Sequence, residues 1–311
     1  MDFSHWTKIS HLSLPHDTLT WSKSYMQTPV PYFYEGKLFV FYGTRNKENI
    51  SSISWVELDY KNNFKIINSP KKPLLSKGSI GNFDDSGVIP SSIIKIKNKT
   101  LLYYMGWSKG GNVVTNNAGG VSEINFKNMT SKKIFNGPIL DRSKEEPYYC
   151  AVPRVYKINS KYFMYYLGVN EWLGKEQSKD AVYDMRIATS NDGINWNRNN
   201  SKAIPLKNTE GGQYPFSIIK NEKKFYGFYS SRKKFDYRSN EKNAYKIYLA
   251  ESSNGLDWKN SKRITLNGNL KNKDTIMQAY PSVIKLQKDF ILFYNGNNFG
   301  KHGIEIAYLN W

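Results

Sequence analysis

The feature that most constrains this chain is a short pattern that occurs five times. It consists of an apolar residue, a proline, a strand-like run, a polar turn and a second run ending in aromatics. The copies read VPYFYEGKLFVFYG from Val30, IPSSIIKIKNKTLLYYMG from Ile89, VPRVYKINSKYFMYYLG from Val152, YPFSIIKNEKKFYGFYSS from Tyr214 and YPSVIKLQKDFILFYNG from Tyr280. The marker prolines Pro31, Pro90, Pro153, Pro215 and Pro281 are spaced by 59, 63, 62 and 66 residues, enough for four short strands and their loops. Self-similarity at a fixed period is the signature of a repeat architecture, in which each unit buries its apolar face against the next.

A third strand follows each hairpin, over Ile53–Leu58, Gly120–Asn125, Met185–Ser190, Lys246–Ser252 and Gly303–Leu309. In the third and fourth units it runs into Asp192-Gly193 and Asn254-Gly255, dipeptides that favour tight hairpins with positive φ. Trp196 and Trp258 then open an outer strand and are assigned to packing between units. The fifth unit stops at Trp311 without a fourth strand, while His5-Trp6-Thr7-Lys8-Ile9-Ser10 precedes the first unit and looks like the missing piece. The expectation is an all-β chain: one five-bladed β-propeller over residues 1–311, with the N-terminal strand closing blade five. Closure removes the seam that would leave strand edges unpaired.

Composition agrees and narrows the function. With 23 Tyr, 16 Phe and 8 Trp, the chain is rich in residues that suit strands and present flat faces to sugar rings. The net charge of +19 attracts polyanions. Yet Lys95, Lys157, Lys220 and Lys285 recur at nearly equivalent repeat positions, which gives them a structural part, and no basic block with interleaved aromatics marks a specific nucleic-acid site. Cys150 is the single cysteine, so no intramolecular disulfide forms. No signal-like N-terminus and no apolar run long enough to span a membrane is present, and the default location is cytoplasmic. Four histidines and one cysteine supply no zinc spacing, and no P-loop, dinucleotide fingerprint or nucleophile elbow stands in context; no cofactor is expected, and spacing does not decide on calcium held by oxygen ligands in the channel.

Propeller geometry selects one face for a site. The first strand of each unit lines the channel, and its start lies on the same face as the loop after the second strand. The segments before the marker prolines bring Asp84 and Asp85, Glu146, Glu210, Gln27 and Gln278 to that face. The loops bring Arg45, Trp107, Asn112, Glu171, Trp172, Asp180, Asp184, Arg232, Arg238, Asn295, Asn297 and His302, and Arg154 points from an inner strand. Carboxylates converging on a funnel suit glycosidic bond cleavage, where one is held protonated as acid and another ionised as base or nucleophile. Asp84, Asp85, Glu146 and Glu210 are the catalytic candidates. Gln27, Arg45, Trp107, Arg154, Glu171, Trp172, Arg232, Gln278, Asn295 and His302 are the substrate-binding ones. Each has a structural counterpart reading: a turn cap for Asp84 and Asp85, a loop residue for Glu146 and Glu210, packing for the tryptophans, a surface hairpin tip for His302.

The stretches Phe83-Asp84-Asp85-Ser86-Gly87-Val88-Ile89-Pro90-Ser91, Tyr103-Tyr104-Met105-Gly106-Trp107, Pro138-Ile139-Leu140-Asp141-Arg142 with Glu146-Pro147, Ile187 to Gly193, and Tyr294-Asn295-Gly296-Asn297 with Gly300-Lys301-His302-Gly303 carry a resemblance. The chain resembles the five-bladed propellers of arabinanases, β-xylosidases and invertases, and more closely the uncharacterised bacterial glycosylase-like propellers found among surface-polysaccharide genes. The resemblance implies a saccharide substrate and cleavage or transfer of a glycosyl unit. Where characterised arabinanase-like enzymes place an Asp at the start of the first blade, this chain has Gln27-Thr28-Pro29. Either the acid pair has moved to blades two and three, or the site no longer hydrolyses glycosides. Three functions follow: a glycoside hydrolase-like enzyme, a transferase or phosphorylase using a phosphate-activated or anionic sugar, and a glycan-binding propeller without chemistry.

Overall fold

Each marker proline lies in an inner strand, at the edge of an antiparallel run, where its missing N–H costs no ladder bond. The computed structural model describes residues 2–15, 19–174, 180–268 and 274–310; Trp311 lies outside them. Its strands are β1 (His5–Leu12), β2 (Ser24–Tyr34), β3 (Lys37–Arg45), β4 (Ser51–Asp59), β5 (Lys65–Asn68), β6 (Gly87–Ile96), β7 (Lys99–Lys109), β8 (Thr115–Asn125) and β9 (Thr130–Lys133). They continue with β10 (Cys150–Ile158), β11 (Lys161–Leu173), β12 (Asp180–Ser190), β13 (Asn197–Ile204), β14 (Glu210–Asn221), β15 (Lys224–Lys233), β16 (Lys246–Ser252) and β17 (Lys259–Arg263). The last are β18 (Thr265–Asn267), β19 (Ala279–Leu286), β20 (Asp289–Asn295) and β21 (Ile304–Leu309), with a 3₁₀ turn over Asn297–Gly300. Among the described residues there is no α-helix.

The strands pair as consecutive antiparallel meanders: β2 to β5, β6 to β9, β10 to β13, β14 to β17, and β19 to β21. Parallel bridges at Ser51–Gly87 and Tyr183–Gly212 join neighbouring meanders at their edges. The N-terminal β1 pairs antiparallel with β21, Trp6 opposite Leu309, and carries the short β18 in parallel on its outer side. The sequence pattern does not reveal β18, because three residues carry no readable alternation.

The register shifts beside every marker proline: between Gln27 and Val30, Pro90 and Ser92, Ala151 and Arg154, Tyr214 and Ser217, and Ala279 and Ser282. These are β-bulges, which bend a strand and re-aim its side chains. Val152 (φ 57°) and Tyr280 (φ 56°) adopt left-handed backbone just before their prolines, a conformation held only where the surrounding structure imposes it.

The core lies between meanders. Phe41 and Trp55 pack with Val88 and Tyr104, and Tyr103 and Val121 with Met164 and Tyr166. Tyr165 and Ile187 pack with Phe216 and Tyr229, and Phe228 and Ile247 with Leu292 and Tyr294. Phe293 and Ile306 pack in turn with Val40 and Tyr42, so the last meander packs on the first. Trp6 is fully buried, edge-on to Phe228 at 5.6 Å.

Hydroxyls stitch the inner strands together. Ser92 Oγ accepts from Val155 N at 2.9 Å, Ser217 Oγ accepts from Val283 N at 2.8 Å, and Thr28 Oγ1 donates to Pro90 O at 3.2 Å. Farther out, Tyr103 donates to Gly193 O at 2.7 Å and Tyr165 donates to Gly255 O. The Asp-Gly and Asn-Gly turns thus anchor the third meander to the second and the fourth to the third. Trp258 packs on Phe216 with centroids 4.2 Å apart, and Trp196 lies edge-on to Tyr103 at 6.4 Å. The repeated lysines also have their structural explanation: Lys157, Lys220 and Lys285 lie over the rings of their cross-strand partners Tyr162, Phe225 and Phe290 at 5.9, 5.7 and 5.3 Å.

Candidate functional site

The bulges and the ends of the second strands open onto one funnel. Its wider part is a cavity of about 440 Å³, within the range of small-molecule sites. The start of β12 supplies Asp180 and Tyr183, and the end of β15 with its following loop supplies Arg232, Tyr237 and Arg238. Trp172 and Tyr280 close its sides. A deeper part of about 190 Å³ is lined by Gln27, Arg45, Ser91 and Tyr214, and shares Tyr149, Tyr183 and Tyr280 with the upper part.

The upper funnel is a lattice of phenols and guanidiniums. Arg232 is buried, with its Cζ 3.8 Å from the Tyr237 ring centroid and 5.1 Å from that of Tyr183. Its Nη2 donates to Ala181 O at 2.6 Å and its Nη1 to Lys233 O at 2.9 Å. A planar guanidinium suits such stacking because its faces are weakly hydrated. The Tyr183 and Tyr245 hydroxyls are in hydrogen-bond contact. Asp180 accepts from Arg238 through both oxygens, at 2.8 and 2.9 Å, and from Tyr237 Oη at 2.9 Å. Burial alone would raise its pKa, but the hydrogen bonds from Arg238 and Tyr237 outweigh that and hold the carboxyl below its ordinary value. Burial pushes the phenols of Tyr149, Tyr237 and Tyr280 upward, so they remain neutral donors. Asp180 is the only carboxylate among the described residues lining the two cavities, against Arg45, Arg232 and Arg238.

The candidates read from the sequence divide into three groups. Gln27, Arg45, Trp172 and Arg232 line the funnel. Gln27 Oε1 accepts from Arg45 Nε at 3.2 Å, and Trp172 lies edge-on to Tyr149 at 5.8 Å. Trp107 and Arg154 stand behind the lining. The Trp107 ring supports Arg45, with Cζ at 5.7 Å, while its Nε1 donates to Ser51 Oγ at 2.7 Å. The rest lie elsewhere. Glu171 is half-exposed and pairs with Lys234 at 3.2 Å. Gln278 is half-buried and donates its backbone N–H to Tyr245 O. Asn295 is fully buried as a clamp, accepting from Thr28 N at 2.8 Å and donating to Met26 O and Gly303 O at 2.7 and 2.9 Å. His302 is exposed.

The four acids of the expected catalytic set are not brought together in the funnel. Asp84 is fully buried, ion-paired with Lys133 and accepting from Tyr104 Oη at 3.2 Å. Asp85 caps its own turn, accepting from Gly81 N at 3.0 Å and Ser86 Oγ at 2.9 Å. Glu146 is buried between Tyr166 Oη and Arg186 Nη1, each at 2.8 Å, and Arg198 Nη1 at 3.0 Å. Glu210 accepts from Lys207 N at 2.9 Å and Ser231 Oγ at 3.1 Å, beside a separate small cavity with Lys246 and Arg263. Asp184 is likewise buried, against Arg186 and Lys202. Their position before an inner strand places them at the right end of each meander. Asp84 and Glu146 turn from there toward the outer strand, where Lys133 and Arg198 pair with them.

The residues that sequence reasoning passed over are tyrosines. The signal was present: in the last two units the residue before the marker proline is Tyr214 or Tyr280, where the first three carry Val or Ile. The bulge turns those rings inward. Among the described residues, no cluster of three or more His, Cys, Asp or Glu could hold a metal ion. None of their helices is long and apolar enough to cross a membrane.

No family model matches the chain. Two relatives in Mycobacterium tuberculosis, uncharacterized protein Rv1502 of strain H37Rv and uncharacterized protein MT1551 of strain CDC 1551, are 28% identical over 307 residues, covering 98% of this chain and 99% of each relative. Among solved structures, a glycosyl hydrolase from Bacteroides ovatus superposes with a TM-score of 0.73 at 14% identity, covering 99% of this chain and 94% of that one. A structure from work on GH130 mannoside phosphorylases and glycoside hydrolases that target β-1,2-mannosidic linkages in Candida mannan gives 0.71 at 13% identity, with coverage of 99% and 94%. The GH32 β-fructofuranosidase of Bombyx mori gives 0.65 at 14% identity, covering 96% of this chain and 61% of that one. The chain shares the propeller-like fold of these glycosidase structures.

Proposed function

We propose that the chain is a carbohydrate-active enzyme that cleaves or transfers a glycosyl unit held in the funnel, on a single five-bladed propeller spanning residues 1–311. The meanders that pack in succession, the last on the first, and the pairing of β1 with β21 support the blade count. The observation that carries the functional reading is one ionised carboxylate, Asp180, set among ring faces and guanidiniums in a cavity large enough for a sugar. In this reading Asp180 is the base or the stabiliser of developing positive charge. Trp172 and Tyr280 offer faces for the sugar ring, and Gln27 and Arg45 read hydroxyls at the floor. Asp84, Asp85, Glu146 and Glu210 hold the meanders rather than the substrate. The activities named for the structural neighbours are consistent with this assignment.

A second reading concerns the sugar. Hydrolysis by two carboxylates needs a pair about 5–5.5 Å apart for retention or about 6.5–9.5 Å apart for inversion. The described funnel lining offers one carboxylate and three arginines. That balance favours transfer to or from a phosphate-activated or otherwise anionic sugar over simple hydrolysis, because guanidinium pairs with phosphate and carboxylate groups. Wild type and Asp180→Asn should be assayed against a panel of glycosides, sugar phosphates and nucleotide sugars. Turnover should appear in wild type and fall about 10²–10⁴-fold in the variant with ligand affinity retained. Saturable glycan binding without product from wild type would instead identify a binding propeller. An equal rate in the variant would remove Asp180 from the chemistry.

A further inference from the structure

Arg154 presents a problem of charge that the funnel does not solve. It leaves β10 one residue after the marker proline and is 1% exposed. Its Nη1 donates to Pro281 O of β19 at 2.7 Å, and its Cζ lies 5.0 Å from the ring centroid of Tyr214 on β14. Three inner strands therefore meet around this guanidinium. Its Nε and Nη2 find no acceptor in the described chain, and among the described residues no carboxylate forms an ion pair with it. A guanidinium keeps its proton at any ordinary pH, so it cannot escape the cost of burial by becoming neutral. A buried charge without a partner is strongly disfavoured.

The neighbouring polar groups have the same bias. Tyr214 Oη and Ser91 Oγ are buried with no hydrogen bond of good geometry among the described residues, Tyr214 Oη having the Arg154 guanidinium beside it, and both residues line the deeper part of the funnel. The charged and titratable groups beside the Tyr214 phenol include Arg154, Tyr156, Tyr183 and Tyr280, and none of these is a carboxylate. Burial pushes that phenol up to about 12 although Arg154 opposes the shift, so it stays a hydrogen-bond donor. A fixed positive charge with hydroxyl donors beside it excludes a cation and selects a small negative ligand. We propose that Arg154, through Nε and Nη2, holds a small inorganic anion beneath the floor of the funnel, with the hydroxyls of Tyr214 and Ser91 completing the site. The anion stands in for the missing carboxylate and fixes the inner strands that Arg154 spans. This assignment does not depend on which sugar enters above.

The test uses crystals of the wild-type protein grown in bromide and, separately, in phosphate. An anomalous bromide peak, or tetrahedral phosphate density, within hydrogen-bond reach of Arg154 Nε or Nη2 establishes the site, and the two arms tell a halide from a phosphate. Density at the level of water in both crystals overturns it. In solution, saturating chloride against gluconate at equal ionic strength should raise the wild-type Tm by about 2–4 °C and leave Arg154→Met unmoved. An equal shift in both proteins counts against the site. Should the variant not fold, the two crystals decide alone.

Discussion

Tyr104 follows Asp84 by 20 residues and donates its phenol to it at 3.2 Å. The same step recurs from Glu146 to Tyr166 at 2.8 Å and from Asp274 to Tyr294 at 2.7 Å. In each case a cation from the fourth strand of the meander completes the contact: Lys133 of β9, Arg198 of β13 and Lys8 of β1. The acid before the inner strand, the phenol on the second strand and the cation on the last form one device repeated around the molecule. It ties the ends of a meander across its full width.

Replacing the acid should therefore cost stability rather than chemistry. Asp84→Asn and Glu146→Gln should each lose about 2–4 kcal/mol in urea unfolding, since each leaves buried partners imperfectly paired. Turnover per folded molecule should match wild type. A folded variant of either kind with normal stability and abolished turnover would return these acids to the catalytic set.

Arg238 sets the charge state of Asp180, and the sign of its removal is fixed. The hydrogen bonds from Arg238 and Tyr237 hold the Asp180 carboxyl below its ordinary value despite burial. The ionised form's contribution to stability is present above the ordinary carboxylate value and is lost as pH falls through the depressed one. Arg238→Met should raise that pKa and move the acid limb of the kcat/KM profile to higher pH. An unmoved limb would separate Asp180 from the titration that controls activity.

Cys150 should be inert while the chain is folded. Its side chain is fully buried, and burial, reinforced by the charge of Glu146, pushes the thiol up to about 12. The reactive species is the thiolate, so a thiol reagent should label the protein only at the rate of unfolding. Rapid stoichiometric labelling of the native protein would contradict the burial.

The two kinds of turn glycine should differ measurably. Gly193 has φ +77°, and a Cβ there would meet Ile96 Cδ1 at 2.4 Å and the Tyr103 hydroxyl at 2.9 Å. Gly36 has φ +80° with open space around it. Gly36→Ala should cost about 1 kcal/mol from backbone strain alone, and Gly193→Ala about 2–4 kcal/mol with disruption of the Tyr103 anchor. Chemical denaturation of the two variants compares them directly; equal losses would mean that the Gly193 turn relaxes freely.

The repeat made the meanders legible because proline and turn residues act locally, through φ preference and the missing N–H. The same locality explains why Trp6 and its strand were recognisable at the other end of the chain from β21. The direction in which Asp84 and Glu146 point is not legible for a different reason. Position along the chain tells which end of a meander a carboxylate occupies, but its direction depends on Lys133 or Arg198, which lie tens of residues away and carry no motif. Asp180 was legible as a loop candidate but not as the acid facing the cavity, because its environment is assembled from Tyr237 and Arg238 in the next meander. Tyr214 and Tyr280 departed visibly from Val and Ile, yet only the bulge geometry shows which way such a departure points.

The pairing of β1 with β21 also sets a schedule for folding. During synthesis the segment carrying Trp6 emerges long before its partner Leu309. Through that interval an aromatic strand has no native place to go, and contacts between such distant segments are slow to form. The earlier meanders can form and pack in order as they leave the ribosome, but the seam between β1 and β21 waits for both strands. A chain interrupted before β21 would leave the edges of β1 and β20 unpaired together, the kind of surface that recruits chaperones or other unfinished copies.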